Sequence, residues 1–183
     1  MIDLQTERKK QRDTGYADEE NLGSLFRLTV NDIDAYYQVL HEGYQSDRSY
    51  TISFAAMDAT REDTMRWLTS VPTYGWLQKG VLISAISLRM PWGPFPGPKK
   101  VPHIGQFVTR PDYKHQGYAK KLLEEVEKKV LREELKAPAV TLGTAENHPW
   151  LEAMYKSFGF VPYNSVQLPH KKHRTVYMEK LYI

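Results

Sequence analysis

"YKHQGYAKKLLEEV", Tyr113 to Val126, changes character at its middle. It opens with hydrogen-bonding and basic residues around Gly117 and ends as an amphipathic repeat, so a helix begins inside it. The first amides of a helix have no acceptor within the helix, and that end carries partial positive charge. A glycine there lets a bulky anion approach the backbone. Gly117 followed by the small Ala119 gives that access, and Lys114, His115, Lys120 and Lys121 are close enough in sequence to add contacts to phosphates. The stretch predicts an anion site where a strand over 101–109 hands over to a helix over 118–135.

Working outward, Ala119, Leu122, Leu123, Val126, Val130 and Leu135 give that helix one apolar face. Glu124 with Lys128 and Glu125 with Lys129 give it a solvated one at i,i+4 spacing. Upstream, residues 1–22 are polar, mixed in charge and without a period, and are expected to form an arm before a domain spanning 23–183. "SLFRLTV" (24–30) predicts a strand. Asn31 is expected to cap a helix whose buried face is Ile33, Tyr36, Tyr37 and Leu40, and Thr60 to cap a second with Asp63 as capping-box partner. Two strands follow around Lys79-Gly80.

"PWGPFPGPKK" (91–100) holds four prolines and two glycines, which forces an irregular loop. Two readings stay open for it: a connector, or a lip over a substrate pocket that would shelter Trp92 and Phe95. Downstream come a buried strand over 139–145, a short helix opened by Pro149 and ended by Gly159, and two closing strands, "FVPYNSVQL" and "RTVYMEKLYI". The order predicts one α/β (α+β) domain with a parallel connection among its central strands.

The chain has no cysteine, which removes disulfides, thiolate nucleophiles and cysteine-based metal sites and suits a reducing compartment. The N-terminal segment lacks the apolar core of a signal peptide, and no later stretch could span a bilayer, so a soluble cytoplasmic protein without a membrane partner is expected. A formal net charge of +3 permits an anionic ligand without demanding nucleic acid, and no aromatic platform interleaved with arginines appears.

Neither the Walker pattern nor G-x-G-x-x-G occurs. What remains at Lys114–Ala119, [R/Q/K]-x-x-G-x-[G/A], resembles the coenzyme A pyrophosphate loop of the GNAT superfamily of N-acetyltransferases. Pro111, Tyr113, Gly117, Ala119 and Leu122 match its longer motif. "HPWLEAMYKSFGF" resembles the second signature, Asn-x-x-Ala-x-x-x-Tyr-x-x-x-Gly-Phe, through Tyr155, Gly159 and Phe160. Lys114 replaces the commoner Arg or Gln, while His148 and Leu151 take the family's Asn and Ala positions, with Asn147 one residue early.

The resemblance covers roughly 24–182. It implies a mixed central sheet of six to seven strands with flanking helices, acetyl-CoA as co-substrate without a metal, and direct acetyl transfer to a primary amine of a small molecule or peptide. A non-catalytic CoA-binding regulatory module of the same fold is the alternative. It further implies cofactor contacts from Phe107, Val108 and Thr109 of the strand, from Lys114, His115, Gln116, Gly117, Tyr118, Ala119 and Lys120 of the loop, and from Asn147. Tyr155 becomes the general acid. His103 is either the general base or a structural histidine, and strand alternation puts it on one face with Gly105, Phe107 and Thr109.

The acceptor pocket is expected from the early helices and the final hairpin. Tyr36, Tyr37, Tyr44, Trp92 and Phe95 are its candidate aromatics, and Asp32, Asp34 and Glu42 could attract a cationic amine. His170 and His173 are read as a solvated loop rather than a metal site. A homodimer through the C-terminal strands is compatible with the family.

Overall fold

Residues 23–182 are described by a computed structural model, and the arm expected over 1–22 lies outside them. The strands are β1 (Gly23–Arg27), β2 (Thr73–Gln78), β3 (Val81–Arg89), β4 (His103–Thr109), β5 (Ala139–Ala145), β6 (Val161–Gln167) and β7 (Arg174–Leu181). They form one sheet in the order β1-β2-β3-β4-β5-β7-β6. The pairs are antiparallel except β4 with β5, where the chain crosses over through a helix.

Four α-helices flank the sheet: α1 (Ile33–Tyr44), α2 (Arg61–Ser70), α3 (Tyr118–Glu125) and α4 (Leu151–Ser157). α1 and α2 cover one face, with Ile33, Tyr36, Val39, Leu40 and Leu68 packed on Phe26, Leu82, Ala85 and Val108. α3 and Tyr155 of α4 cover the other, against Ile86, Leu88, Ile104, Leu142 and Met178.

Local chemistry explains most boundaries. Lys79 (φ 50°) and Gly80 (φ 79°) both take the left-handed conformation that a tight hairpin turn requires. Thr60 and Asp63 form a reciprocal capping box, as expected. At the first helix the cap is Thr29 rather than Asn31. Its hydroxyl and the Asp32 carboxylate close a box around a short 3₁₀ turn, so the α-helix proper starts at Ile33. Val39 is buried in α1, whereas Tyr37 is half-buried and stacks on His41.

Pro149 lies before α4, whose cap is Trp150. The long helix is α-helical only to Glu125. Val126–Glu134 continue as a π-helix, with the Leu135 amide donating to the Val130 carbonyl at 2.9 Å.

The strand bearing the expected cofactor contacts does not alternate as the pattern implied. β3 and β4 slip register between Ile86↔Phe107 and Leu88↔Ile104, so β4 carries one extra residue. Ile104 and Phe107 therefore share the α3 side, while Gln106 accepts a hydrogen bond from Tyr36 of α1. His103 and Phe107 fall on different faces. Gly43 brings α1 close to β4, since a Cβ there would run into the Val108 side chain and stand 3.1 Å from the Thr109 carbonyl oxygen.

Gly43→Ala is expected to destabilise the fold by about 1–3 kcal/mol through overpacking. Chemical denaturation checks this, and an unchanged midpoint would show that α1 can move off β4 at little cost.

Candidate active site

β4 and β5 pair only at His103↔Thr141 and Ile104↔Leu142, although each has seven residues. Beyond Leu142 they diverge, and a cavity of about 560 Å³ occupies the opening, a volume suited to an extended organic ligand. Hydrogen-bond phase decides which backbone groups face it. The Arg110 amide donates to the Ile83 carbonyl of β3 at 2.8 Å. In an antiparallel ladder the next such residue is Val108, opposite Ala85. Phe107 and Thr109 therefore turn their amides and carbonyls toward the gap, and Val108 gives its own to β3. Tyr44 of α1 donates to the Phe107 carbonyl at 3.3 Å.

At one end of the cavity Gly117 caps α3 in the left-handed region (φ 84°, ψ 0°) without any side-chain cap. A Cβ there would meet nothing within 4 Å. The glycine is thus demanded by its dihedrals, and the space before it is open. His115 (φ 61°) is left-handed too, which curls the loop beneath the helix mouth.

Tyr118, Ala119 and Lys120 line the cavity with Lys114, His115 and Gly117. The Lys114 ammonium, however, donates to the Gly43 carbonyl (3.0 Å) and Ser46 hydroxyl (3.2 Å), tying the loop to α1. Lys121 lies over the Trp76 ring. Gln116 donates to the Asp112 carbonyl and Asn147 to the Thr51 carbonyl, and neither lines the cavity.

Tyr155 forms part of the cavity wall, packed against Phe107, Phe158 and Phe160. Burial, helped by the Asp47 carboxylate, pushes its phenol well above the usual range, so it keeps its proton at any assay pH. Its hydroxyl has no hydrogen-bond partner among the described residues.

His103 is 3 % exposed and shares a 2.8 Å hydrogen bond between Nδ1 and Thr141 Oγ1. Burial, reinforced by Arg89, pushes it down to about 3, so the imidazole is neutral. The 91–100 loop folds over its back. A Cβ on Gly97 would stand 2.5 Å from His103 Cβ, and the loop itself stays out of the cavity lining.

The expected acceptor pocket is rearranged. Of its aromatics only Tyr44 reaches the cavity. Tyr36 is fully buried against Gln106, Phe95 stacks on Trp67, and Trp92 is 72 % exposed. Asp32 is spent on a cap, Asp34 on Arg61 and Glu42 on Arg110. The groups present instead are Asp47, Arg89, Lys171 and His173. His173 is no solvated loop residue: it is buried, accepts the Ser53 amide proton on Nδ1 and packs on Phe54. No pattern near Asp47 or Arg89 announced a site, and only the fold brings them together. Among the described residues no group of histidines and carboxylates could hold a metal, and no helix is long and apolar enough to cross a membrane.

Residues 34–160 match the acetyltransferase (GNAT) family. The chain belongs to the GNAT superfamily of N-acetyltransferases. This acetyltransferase is 40% identical over 156 residues to the S-(2-succino)cysteine N-acetyltransferase of Bacillus subtilis (strain 168), covering 85% of this chain and 94% of that protein. It is also 40% identical over 144 residues to the S-alkylcysteine N-acetyltransferase of the same organism, covering 76% and 79%. Among solved structures, the PaiA N-acetyltransferase of Thermoplasma acidophilum in complex with coenzyme A superposes with a TM-score of 0.68 at 16% identity, covering 87% of this chain and 99% of that one. The Escherichia coli ribosomal-protein-S18-alanine N-acetyltransferase gives 0.66 at 13%, covering 87% and 93%. The protein is therefore an acyltransferase that moves an acetyl group to an amine, which closes the regulatory-module alternative.

Because the folded protein resists protonating His103 and the unfolded chain does not, stability is full above pH 6.5 and is lost as pH falls from there. At pH 5 the loss is about 2 kcal/mol. Melting temperature is expected to drop more steeply between pH 7 and 5 in the wild type than in His103→Gln, and parallel curves would show that the ring charges freely.

Proposed function

We propose that this acetyltransferase uses acetyl-CoA directly, and that its acceptor is the α-amino group of a cysteine substituted on sulfur. The acceptor class is suggested by what the two Bacillus relatives act on. The observation that carries the cofactor reading is the divergence of β4 from β5 with Gly117 at its mouth. The residues fit such a ligand in three respects. Open space before a left-handed glycine admits a pyrophosphate to the first amides of α3. The gap-facing amides and carbonyls of Phe107 and Thr109 can pair with pantetheine as an added strand would. The cavity is long enough to run on toward β7, where the amine would enter.

Acetyl-CoA supplies an activated thioester carbonyl. In the transfer the amine nitrogen forms a bond to that carbon, the carbon–sulfur bond breaks, the amine loses a proton and the sulfur gains one. The chain has no cysteine to carry the acetyl group as a thioester, which favours one-step transfer. Tyr155, protonated and with its hydroxyl free to donate, supplies a hydrogen bond to the departing sulfur.

His103 enters as a group that receives and orients the acceptor through Nε2, Nδ1 being held by Thr141. The burial that keeps the ring neutral also makes it a weak base, so the amine's proton is released to solvent through the cavity mouth.

Acetyl-CoA and its desulfo analogue are expected to raise the melting temperature of the wild type, and Gly117→Glu to abolish that shift by filling the turn and adding like charge. Equal shifts in both proteins would remove the loop from cofactor binding. Tyr155→Phe is expected to keep the shift while lowering kcat about 10²-fold, read by thiol release with S-methylcysteine as acceptor. An unchanged rate would exclude it as donor.

A further inference from the structure

On the acceptor side of the cavity wall, away from the Lys114 loop, two cations have no counter-charge. Arg89 and Lys171 both line it, and neither makes an ion pair among the described residues. The single carboxylate in the lining, Asp47, lies 3.4 Å from Nε2 of His148. Burial lowers the proton affinity of Arg89 and of Lys171, so both sit where their charge is poorly solvated. An unpaired, partly desolvated cation is costly unless an anion arrives to meet it.

Each cation is also held in place. Arg89 Nε donates to the Phe95 carbonyl (2.7 Å) and Nη2 to that of Pro96 (2.8 Å), leaving Nη1 for a ligand. The 91–100 segment thereby acts as a brace whose four prolines stiffen the two carbonyls. Lys171 Nζ donates once, to the Ser53 carbonyl at 2.8 Å, and keeps two N–H groups.

The two occupy different ends of the acceptor side. A Cβ on Gly105, at the β4 bulge, would stand 3.3 Å from Arg89 Cδ. Lys171 belongs to the β6–β7 connection, beside the end of β7 where His173 lies.

We propose that Arg89 binds the α-carboxylate of the acceptor and Lys171 binds a carboxylate on its sulfur substituent, so that the enzyme selects S-carboxyalkyl cysteines over S-alkyl ones. The inference rests on the acceptor reading above. The α-carboxylate is two bonds from the attacking nitrogen, which places it with the cation nearer the β4 bulge. The substituent projects away, toward the β6–β7 connection.

The test compares S-(2-succino)cysteine with S-methylcysteine as acceptors, and adds calorimetric binding of the former. The wild type is expected to favour the succino compound by roughly 10- to 100-fold in kcat/KM, the scale of one charge-assisted hydrogen bond. Lys171→Met collapses that preference and Lys171→Arg restores it. Arg89→Gln lowers kcat/KM for both compounds by a similar factor and weakens calorimetric binding, with Arg89→Lys recovering part. Melting temperatures confirm that the variants are folded. A preference that survives in Lys171→Met, or Arg89→Gln acting as wild type, overturns the proposal. If neither compound is acetylated although other amines are, the acceptor reading fails. Calorimetry then decides separately whether the two cations bind a dicarboxylate at all.

Discussion

Two parallel strands that pair for two residues and then part are the constraint on which the site depends. β4 is fastened to β3 on one edge and β5 to β7 on the other, both antiparallel, the β5–β7 register unbroken and the β3–β4 register stepped by one residue. The extra residue in β4 changes its direction relative to β5, so the ladder between them cannot continue past Leu142. Backbone groups facing such a gap carry a cost if nothing meets them. Tyr44 meets one of them, at Phe107. The others form a ready-made edge in the middle of a sheet, where a strand-like ligand finds donors and acceptors at a fixed spacing. On the reading proposed, the incoming pantetheine completes the sheet that the bulge interrupts.

The charges around this gap are divided by element. At the α3 end the first-turn amides and Lys120 are offered outward, while Lys114 holds the loop against α1. Near the sheet's centre lie uncharged donors, the phenol of Tyr155 and the neutral ring of His103. Beyond them stand Arg89 and Lys171. A cation-rich entrance and a second pair of cations, with the Asp47 carboxylate between them close enough to act on Tyr155, suit the proposed reaction, in which both partners are anionic. On that reading, repulsion between the two partners would be met by cations at both ends.

How far this was legible in the chain depends on how local each signal is. Capping at Thr60, the turn at Lys79-Gly80, the glycine ending α4 and the open mouth of α3 were readable because each is decided within a few residues. The cap at Thr29 was missed because Asn31 is an equally good candidate, and only the choice of a 3₁₀ entry favours the former. The bulge in β4 was missed for a different reason. Alternation assumes an unbroken ladder, and it treats Gly105, a glycine inside the strand and the one signal of a bulge there, as an ordinary strand position. His173 looked solvated in "HKKH" (170–173) because nothing nearby announces that Ser53, more than a hundred residues away in sequence, packs against it and against Lys171. Sites assembled from distant elements leave no spacing to read.

The burial of Tyr155 sets a limit on what it can contribute. A phenol raised far above its ordinary value of about 10 is a poorer acid than the coenzyme thiol, which lies near 8.5, so handing over its proton completely would be uphill. A hydrogen bond needs no such transfer. It strengthens as negative charge gathers on sulfur and is unaffected by pH over the working range. On the reading proposed, the same burial that weakens Tyr155 as an acid keeps it a constant donor, with its ring held in place by three surrounding phenylalanines. A thiolate is already a competent leaving group, so modest stabilisation suffices. On the reading proposed, the reaction is governed more by how the gap and its cations align amine and thioester than by any single proton transfer.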